Sequence, residues 1–239
     1  MAHIAILGLV VGFGFLGFWQ LQRLDERRAT NELIAERFNQ PHTELSDLEN
    51  VEPAEAEYLR VVASGVFLPA EEVLIRSQVF QGNAGFHVIT PLEYSNGQAI
   101  LVNRGWIPLL MDEAPVVQAP PPTGTTQIVG WVHLTQERPP LGREESPGEV
   151  DVMNRVDIER IASQTPVDLA DVYLVELGER EELPIPVSSP DFTDEGSHFS
   201  YAFQWFGFAV VVAVGYMFLV RRRVGQSTGK GLAKSSTTS

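Results

Sequence analysis

HFSYAFQWFGFAVVVAVGYMFLVRRR, residues 198–223, is the stretch that decides the fold of this chain. Residues 201–220 within it carry no formal charge. As a helix rising ~1.5 Å per residue they extend roughly 30 Å, about the thickness of the hydrocarbon core of a bilayer. The arginines at 221–223 follow at once, and such basic clusters normally remain cytoplasmic. The stretch therefore predicts a transmembrane helix over residues 198–220 whose carboxyl end faces the cytoplasm.

A second apolar run opens the chain. Residues 4–21 contain no charge, and Gln20 is their only strongly polar member. A cleaved signal peptide is the alternative interpretation, but no basic segment precedes the run and no small-residue cleavage motif ends it. We therefore predict an uncleaved transmembrane helix over residues 1–21. An amphipathic helical extension over residues 22–40 follows, and Pro41 ends it.

The charge distribution predicts which part of the chain lies outside. All 31 acidic residues precede the basic tail at residues 221–239, whose Gly/Ser/Thr-rich composition predicts disorder. Arg23, Arg27 and Arg28 would by themselves favour the opposite orientation, but acids are mixed among them. The arginine cluster after the second helix decides the orientation. We expect both termini in the cytoplasm and residues 41–197 outside a bacterial plasma membrane, since no transit peptide fits before the first helix.

Composition excludes several classes of function. The net charge of −14 is too acidic for a nucleic-acid partner. The chain contains no cysteine, which excludes thiol redox motifs, c-type haem attachment and thiolate metal sites. His42, His87 and His133 are far apart in sequence, and no nucleophile elbow or phosphate-binding loop occurs. We therefore expect no enzyme; a membrane-tethered hydrolase is an alternative that no motif supports.

The region between the two helices is predicted to form short strands. Asn96-Gly97 predicts a tight hairpin turn, and residues 157–164 predict one short helix capped by Asn154 or Asp157. The predicted strands are YLRVVASGVF (58–67), EVLIRSQVF (72–80), FHVITPLEY (86–94), QAILVNRGWI (98–107), TQIVGWVHLT (126–135) and VYLVEL (172–177). The fold class predicted is a membrane protein in which two terminal helices flank a mainly antiparallel, barrel-like β domain with a few short helices.

His198 is the first candidate for chemistry. In a helix, His198, Tyr201 and Trp205 share one face, and Trp19 lies at a similar depth on the first helix. An aromatic belt at the membrane surface explains this pattern without a special function. The alternative is a haem site, in which the neutral imidazole of His198 is an axial ligand of the iron.

Arg104 is a second candidate, because it follows an apolar strand. Its guanidinium could pair with a haem propionate or with a carboxylate of a partner protein. The alternative is a structural role, in which Arg104 pairs with one of the many acids of this chain.

Packing of the two apolar helices on each other is also predicted. Gly8-x-x-x-Gly12 and Ala209-x-x-x-Ala213 would allow a close approach, and the amide of Gln204 would hydrogen-bond the neighbouring helix. A substrate contact is the alternative role for Gln204.

Several motifs, in this order and between two terminal helices, carry a resemblance to a known family. They are GFWQLQRLDERR (17–28), GVF (65–67), GFHVITPLEYSNGQAILVNRGWIP (85–108), NRVDIERIA (154–162) and HFSYAFQWFGFA (198–209). The chain resembles the Surfeit locus protein family, the membrane assembly factors of cytochrome c oxidase, over nearly its whole length.

The resemblance implies a non-enzymatic role in oxidase assembly. Members bind haem a and assist its insertion into subunit I, which makes subunit I and the proteins of haem a synthesis the expected partners. The family histidine linked to haem corresponds to His198. Members usually carry an Asn shortly before that histidine, whereas this chain has Gly196 and Ser197. A membrane-anchored scaffold that takes part in oxidase assembly without binding haem is the alternative.

Overall fold

The computed structural model describes residues 2–48, 51–95, 97–136, 148, 150–187, 189, 192 and 194–234, with side chains between residues 3 and 222. The chain forms two compact units, Met1–Leu33 with Phe192–Ser239, and Ile34–Asp191. In chain order the elements are α1 (Ala2–Phe38), β1 (Thr43–Glu44), α2 (Pro53–Ala56), β2 (Arg60–Phe67), β3 (Val73–Phe80), β4 (Asn83–Ser95), β5 (Gln98–Pro108), β6 (Thr125–Leu134), β7 (Val152–Met153), α3 (Ile158–Ala162), β8 (Asp168–Glu176) and α4 (His198–Lys234).

The first unit is built from two helices that are long and apolar enough to cross a membrane. α1 is one continuous helix that includes both the span predicted over 1–21 and most of the helical extension predicted to continue it over 22–40. α4 begins at His198 and continues to Lys234, through most of the tail for which we predicted disorder. The tail contains no proline, the residue that most strongly ends a helix. Residues 235–239 lie outside the described part of the chain.

α1 and α4 pack antiparallel, and the close contact lies at Gly17. A β-carbon on Gly17 would lie 2.8 Å from Cζ of Phe206, so a side chain at residue 17 would displace this ring. The predicted contact at Gly8 and Gly12 is wrong, because a β-carbon on either would meet nothing within 4 Å. Gln204, predicted to hydrogen-bond α1, is exposed and has no hydrogen-bond partner among the described residues. The apolar face of α1 therefore meets α4 through Gly17 rather than through the predicted small-residue motif.

The second unit is a closed barrel of five strands. The strands follow the order β2-β6-β8-β5-β4, and pairing of β2 with β4 closes the ring. This closing contact pairs Val66 with Glu93 and Phe67 with Leu92. Gly65 precedes it, and a β-carbon there would overlap the carbonyl oxygen of Glu93. The seam of the barrel thus requires glycine at residue 65.

The pairing in the sheet is mainly antiparallel, as the sequence predicted, with three parallel contacts. β5 runs parallel to β8, and the two-residue strands β1 and β7 run parallel to β2 and β3. β4 and β5 form the predicted hairpin, with Gly97 in the turn at a φ of +78°; Asn96 lies outside the described residues. α3 is capped by Asp157, whose carboxylate accepts a hydrogen bond from the backbone N–H of Arg160.

Among the described residues, two apolar clusters lie in the barrel unit. The first lies inside the ring, since every ring strand contributes to it: Val61, Ala63 and Phe67 of β2, Leu92 of β4, Ile100 and Val102 of β5, Ile128 and Val132 of β6, and Val172 and Leu174 of β8. The second contains Leu74, Phe86, Val88, Ile107, Val116 and Ala119. β4 and β5 contribute to both clusters, so the same two strands support both.

Candidate functional site

His198 begins α4, and its half-buried side chain contacts α1. The Nδ1 atom of the imidazole lies 2.9 Å from Oε1 of Gln20. One feature of the sequence hints at this partner, because Gln20 is the only strongly polar residue in the first apolar run. Sequence reasoning assigned the interhelical amide to Gln204 instead, and so missed Gln20.

The other edge of the imidazole faces Gly196. This residue has a φ of +67°, and a β-carbon on it would lie 3.4 Å from Cδ2 and 3.7 Å from Nε2 of His198. A side chain at residue 196 would therefore lie against the edge of the ring that carries Nε2. The resemblance led us to expect an Asn shortly before this histidine, whereas glycine at residue 196 places no side chain over that edge of the ring.

The extension of α1 fixes the segment that leads into His198. Arg28 donates two hydrogen bonds to the carboxylate of Glu195, at 2.8 and 2.9 Å. Asn31, which is buried, donates to the backbone oxygen of Asp194 at 3.1 Å. The Asp194 carboxylate in turn accepts from the backbone N–H of Gly196. The Arg28 guanidinium holds the pKa of Glu195 below its usual value, so this pair stays charged at neutral pH.

The three aromatic residues predicted beside His198, namely Trp19, Tyr201 and Trp205, differ in their contacts and exposure. Trp205 stacks on Phe13 at 5.7 Å, so its ring packs between the helices. Tyr201 and Trp19 are exposed, at 48% and 42% of their surface. Within the described residues, no ring contact joins His198 to any of the three. The structure therefore leaves Tyr201 and Trp19 as exposed aromatics in the same unit as His198 and engages Trp205 in helix packing.

Arg104 lies in the barrel unit, and its contacts support the structural alternative. It is the extra residue of a bulge in β5, because Asn103 pairs with Ile89 and Gly105 with Val88. The guanidinium donates to the carboxylate of Glu72 at 3.1 Å and to the carbonyl oxygen of Ala119 at 3.0 Å.

Glu72 has further donors in this buried cluster. Its carboxylate also accepts from the hydroxyl of Thr90 at 2.6 Å and from the backbone N–H of Val116 at 2.8 Å. The side chains of Arg104 and Glu72 are only 4% and 1% exposed. Burial lowers the pKa of Arg104 while Glu72 opposes this effect, and arginine remains charged. With its guanidinium committed to the interior, Arg104 is not available for a propionate.

His87 makes a second polar contact beside this bulge. Its Nδ1 atom accepts a hydrogen bond from the amide nitrogen of Asn103 at 3.1 Å, while the amide oxygen of Asn103 accepts from the backbone N–H of Gly105. Burial lowers the pKa of His87 to about 4. His87 is therefore neutral at physiological pH and has a structural role. In the described part of the chain, no group of three or more His, Asp or Glu side chains could hold a metal ion.

Two apolar terminal helices joined through a closed β-barrel define a membrane-anchored protein with one folded β domain. The sequence matches the SURF1 family over residues 7–210. The chain belongs to this family, which is known for the assembly of cytochrome oxidase and not for catalysis.

Similar proteins occur in bacteria and in animals. A SURF1-like protein of Mycobacterium tuberculosis, described as uncharacterized, is 28% identical over 224 residues, which cover 89% of this chain and 81% of the relative. The SURF1-like protein of Rickettsia felis is 28% identical over 221 residues, covering 87% and 92%. The SURF1-like protein of Caenorhabditis elegans is 27% identical over 237 residues, covering 87% and 70%.

Proposed function

We propose that this protein is an assembly factor for cytochrome c oxidase that binds haem a at His198 and assists its insertion into subunit I. The observation that carries this proposal is the imidazole of His198, whose Nε2 edge faces a glycine at the start of an apolar membrane helix. A neutral imidazole nitrogen is a common axial ligand of haem iron. Because the chain belongs to an oxidase assembly family, we expect this nitrogen to bind the iron of haem a.

The surroundings of His198 fit the two parts of a haem. Tyr201 and Trp19 expose aromatic surface that would pack against the macrocycle. Arg23 lies 5.8 Å from the centre of the Trp19 ring, and its half-exposed guanidinium forms a surface ion pair with Glu26 that it could exchange for a haem propionate. Trp205 supports this site indirectly, because it packs between the helices.

For the orientation we propose a bacterial plasma membrane with both termini in the cytoplasm and the barrel outside. The arginines at 221–223 favour this orientation. Arg27 and Arg28 lie on α1 just beyond the predicted span, where they would oppose this orientation, but both are paired with acids. Arg27 lies 3.6 Å from the carboxylate of Asp194, and Arg28 is bound to Glu195. A periplasmic reporter fused at residue 130 should be active and a cytoplasmic one inactive; the reverse result would refute the orientation.

The haem proposal is tested with the detergent-purified full chain and haem a. We expect wild type to show a Soret band that His198→Ala abolishes. His42→Ala is the matched control, because His42 is an exposed histidine of the barrel unit, and it should keep the band. In cells, His198→Ala should lower the haem a content of the oxidase.

A scaffold without haem is the alternative outcome of the same test. In that case wild type shows no Soret band, and His198→Ala leaves the haem content of the oxidase unchanged. Co-purification then shows whether subunit I and the proteins of haem a synthesis still bind the variant. A scaffold should retain these partners when His198 is replaced by Ala.

A further inference from the structure

The contact between Gln20 and His198 determines which ring nitrogen carries the proton. The atom of Gln20 that faces Nδ1 of His198 is the amide oxygen, 2.9 Å away. An amide oxygen only accepts hydrogen bonds, so in this orientation of the amide Nδ1 is the donor. In the neutral ring the proton therefore lies on Nδ1, and Nε2 keeps its lone pair.

We propose that Gln20 is a positioning residue that holds His198 as the Nδ1–H tautomer and thereby makes Nε2 the nitrogen that binds haem iron; this inference rests on the proposed function. A hydrogen bond accepted from Nδ1–H fixes the plane of the ring and makes Nε2 a stronger donor to a metal. The nitrogen selected in this way is the one on the ring edge that faces Gly196.

The packing of α1 on α4 explains why Gln20 can reach the imidazole. Gly17 lies one turn before Gln20 on α1 and admits the ring of Phe206, which brings the two helices close. The Gln20 side chain is half buried at this contact, where an amide without a partner would be costly. A residue that only held the helices together would not need its oxygen directed at Nδ1, and this difference can be measured.

The tautomer is measured without haem. The full chain, labelled with 15N-histidine in detergent micelles at a pH that keeps imidazole neutral, gives one set of ring signals for each histidine, and His198→Ala assigns the set of residue 198. We expect Nδ1–H in wild type. Gln20→Leu should shift the population towards Nε2–H, the form that free histidine prefers, while Gln20→Glu should restore Nδ1–H because a carboxylate also accepts.

Haem binding then tests the consequence. Gln20→Leu should weaken haem a binding by about 10–100-fold, the usual effect of removing the partner of a metal-binding histidine. Gln22→Leu is the matched control, since it makes the same change at an exposed position two residues along, and it should bind like wild type. Gln20→Glu should recover the affinity, which simple loss of helix packing does not predict.

Each failure has its own signature. A wild-type His198 that carries its proton on Nε2, or a tautomer that Gln20→Leu leaves unchanged, overturns the inference whether or not haem binds. Equal haem affinity in wild type, Gln20→Leu and Gln22→Leu overturns the role in binding. Absence of a Soret band in wild type refutes the proposed function, and it does so independently of the NMR result.

Discussion

Replacing Arg104 by Met removes the only cation bound to the buried carboxylate of Glu72 in the described part of the chain. Methionine fills much of the volume of the arginine stem, so the change is mainly in charge and hydrogen bonding. Glu72 keeps its hydrogen bonds from Thr90 and from the backbone of Val116, while the carbonyl of Ala119 loses its donor. The variant therefore leaves an anion that is 1% exposed without its counter-charge.

The expected cost follows from this geometry. Breaking a buried ion pair by removing one partner typically costs about 3–5 kcal/mol. The two donors that remain on Glu72 favour the lower end, and the lost bond to Ala119 adds about 1 kcal/mol. We expect Arg104→Met to lower the free energy of unfolding by about 4 kcal/mol. The double variant with Glu72→Gln removes both charges and should be no less stable than Arg104→Met alone.

Equilibrium unfolding of the full chain in detergent measures these free energies. With Trp19 and Trp205 changed to Phe in all variants, the remaining tryptophans, at 106 and 131, both lie in the barrel unit and report on it alone. Arg76→Met is the control, because Arg76 is exposed and its side chain donates one hydrogen bond among the described residues, to the backbone oxygen of Val152; it should cost less than ~1 kcal/mol. If the effects of Arg104→Met and Glu72→Gln simply add in the double variant, to within about 0.5 kcal/mol, the two side chains are not coupled and the reasoning fails.

Two further predictions concern the barrel. Gly65→Ala should destabilise it by several kcal/mol, because the new β-carbon overlaps the carbonyl of Glu93 at the seam; Gly178→Ala, where the nearest atom would be 3.9 Å away, should be nearly neutral in the same unfolding assay. Stability should also fall as the pH drops from 6.5 to 4, because the unfolded chain takes up a proton on His87 that the folded barrel, whose His87 has a pKa of about 4, does not. This contribution reaches about 3 kcal/mol. It appears as the difference between the pH profiles of wild type and His87→Leu, and parallel profiles would show that His87 is not buried as a neutral ring.

The elements that depend on local signals could be predicted from the sequence. Continuous apolar runs predicted both helices, and short runs rich in Val and Ile, separated by turn residues, predicted the six long strands β2 to β6 and β8. The cap at Asp157 could also be foreseen, because it acts within its own turn.

Contacts between distant residues could not be predicted in this way. The closing pair of β2 and β4 and the parallel pair of β5 and β8 join segments whose hydrophobic patterns fit several partners equally well. With 31 acidic residues in the chain, nothing in the sequence singles out Glu72 as the partner of Arg104. Gln20 was missed because its role appears only when α4 brings His198 beside it.

The shared use of β4 and β5 by both apolar clusters has a consequence for inherited or engineered damage. Because β4 and β5 support both clusters, a substitution that leaves a cavity beside Val116 in the second cluster also loosens the interior of the ring. We therefore expect the barrel to unfold as one cooperative unit. Destabilising substitutions in either cluster should therefore share a single phenotype, a reduced amount of protein in the membrane.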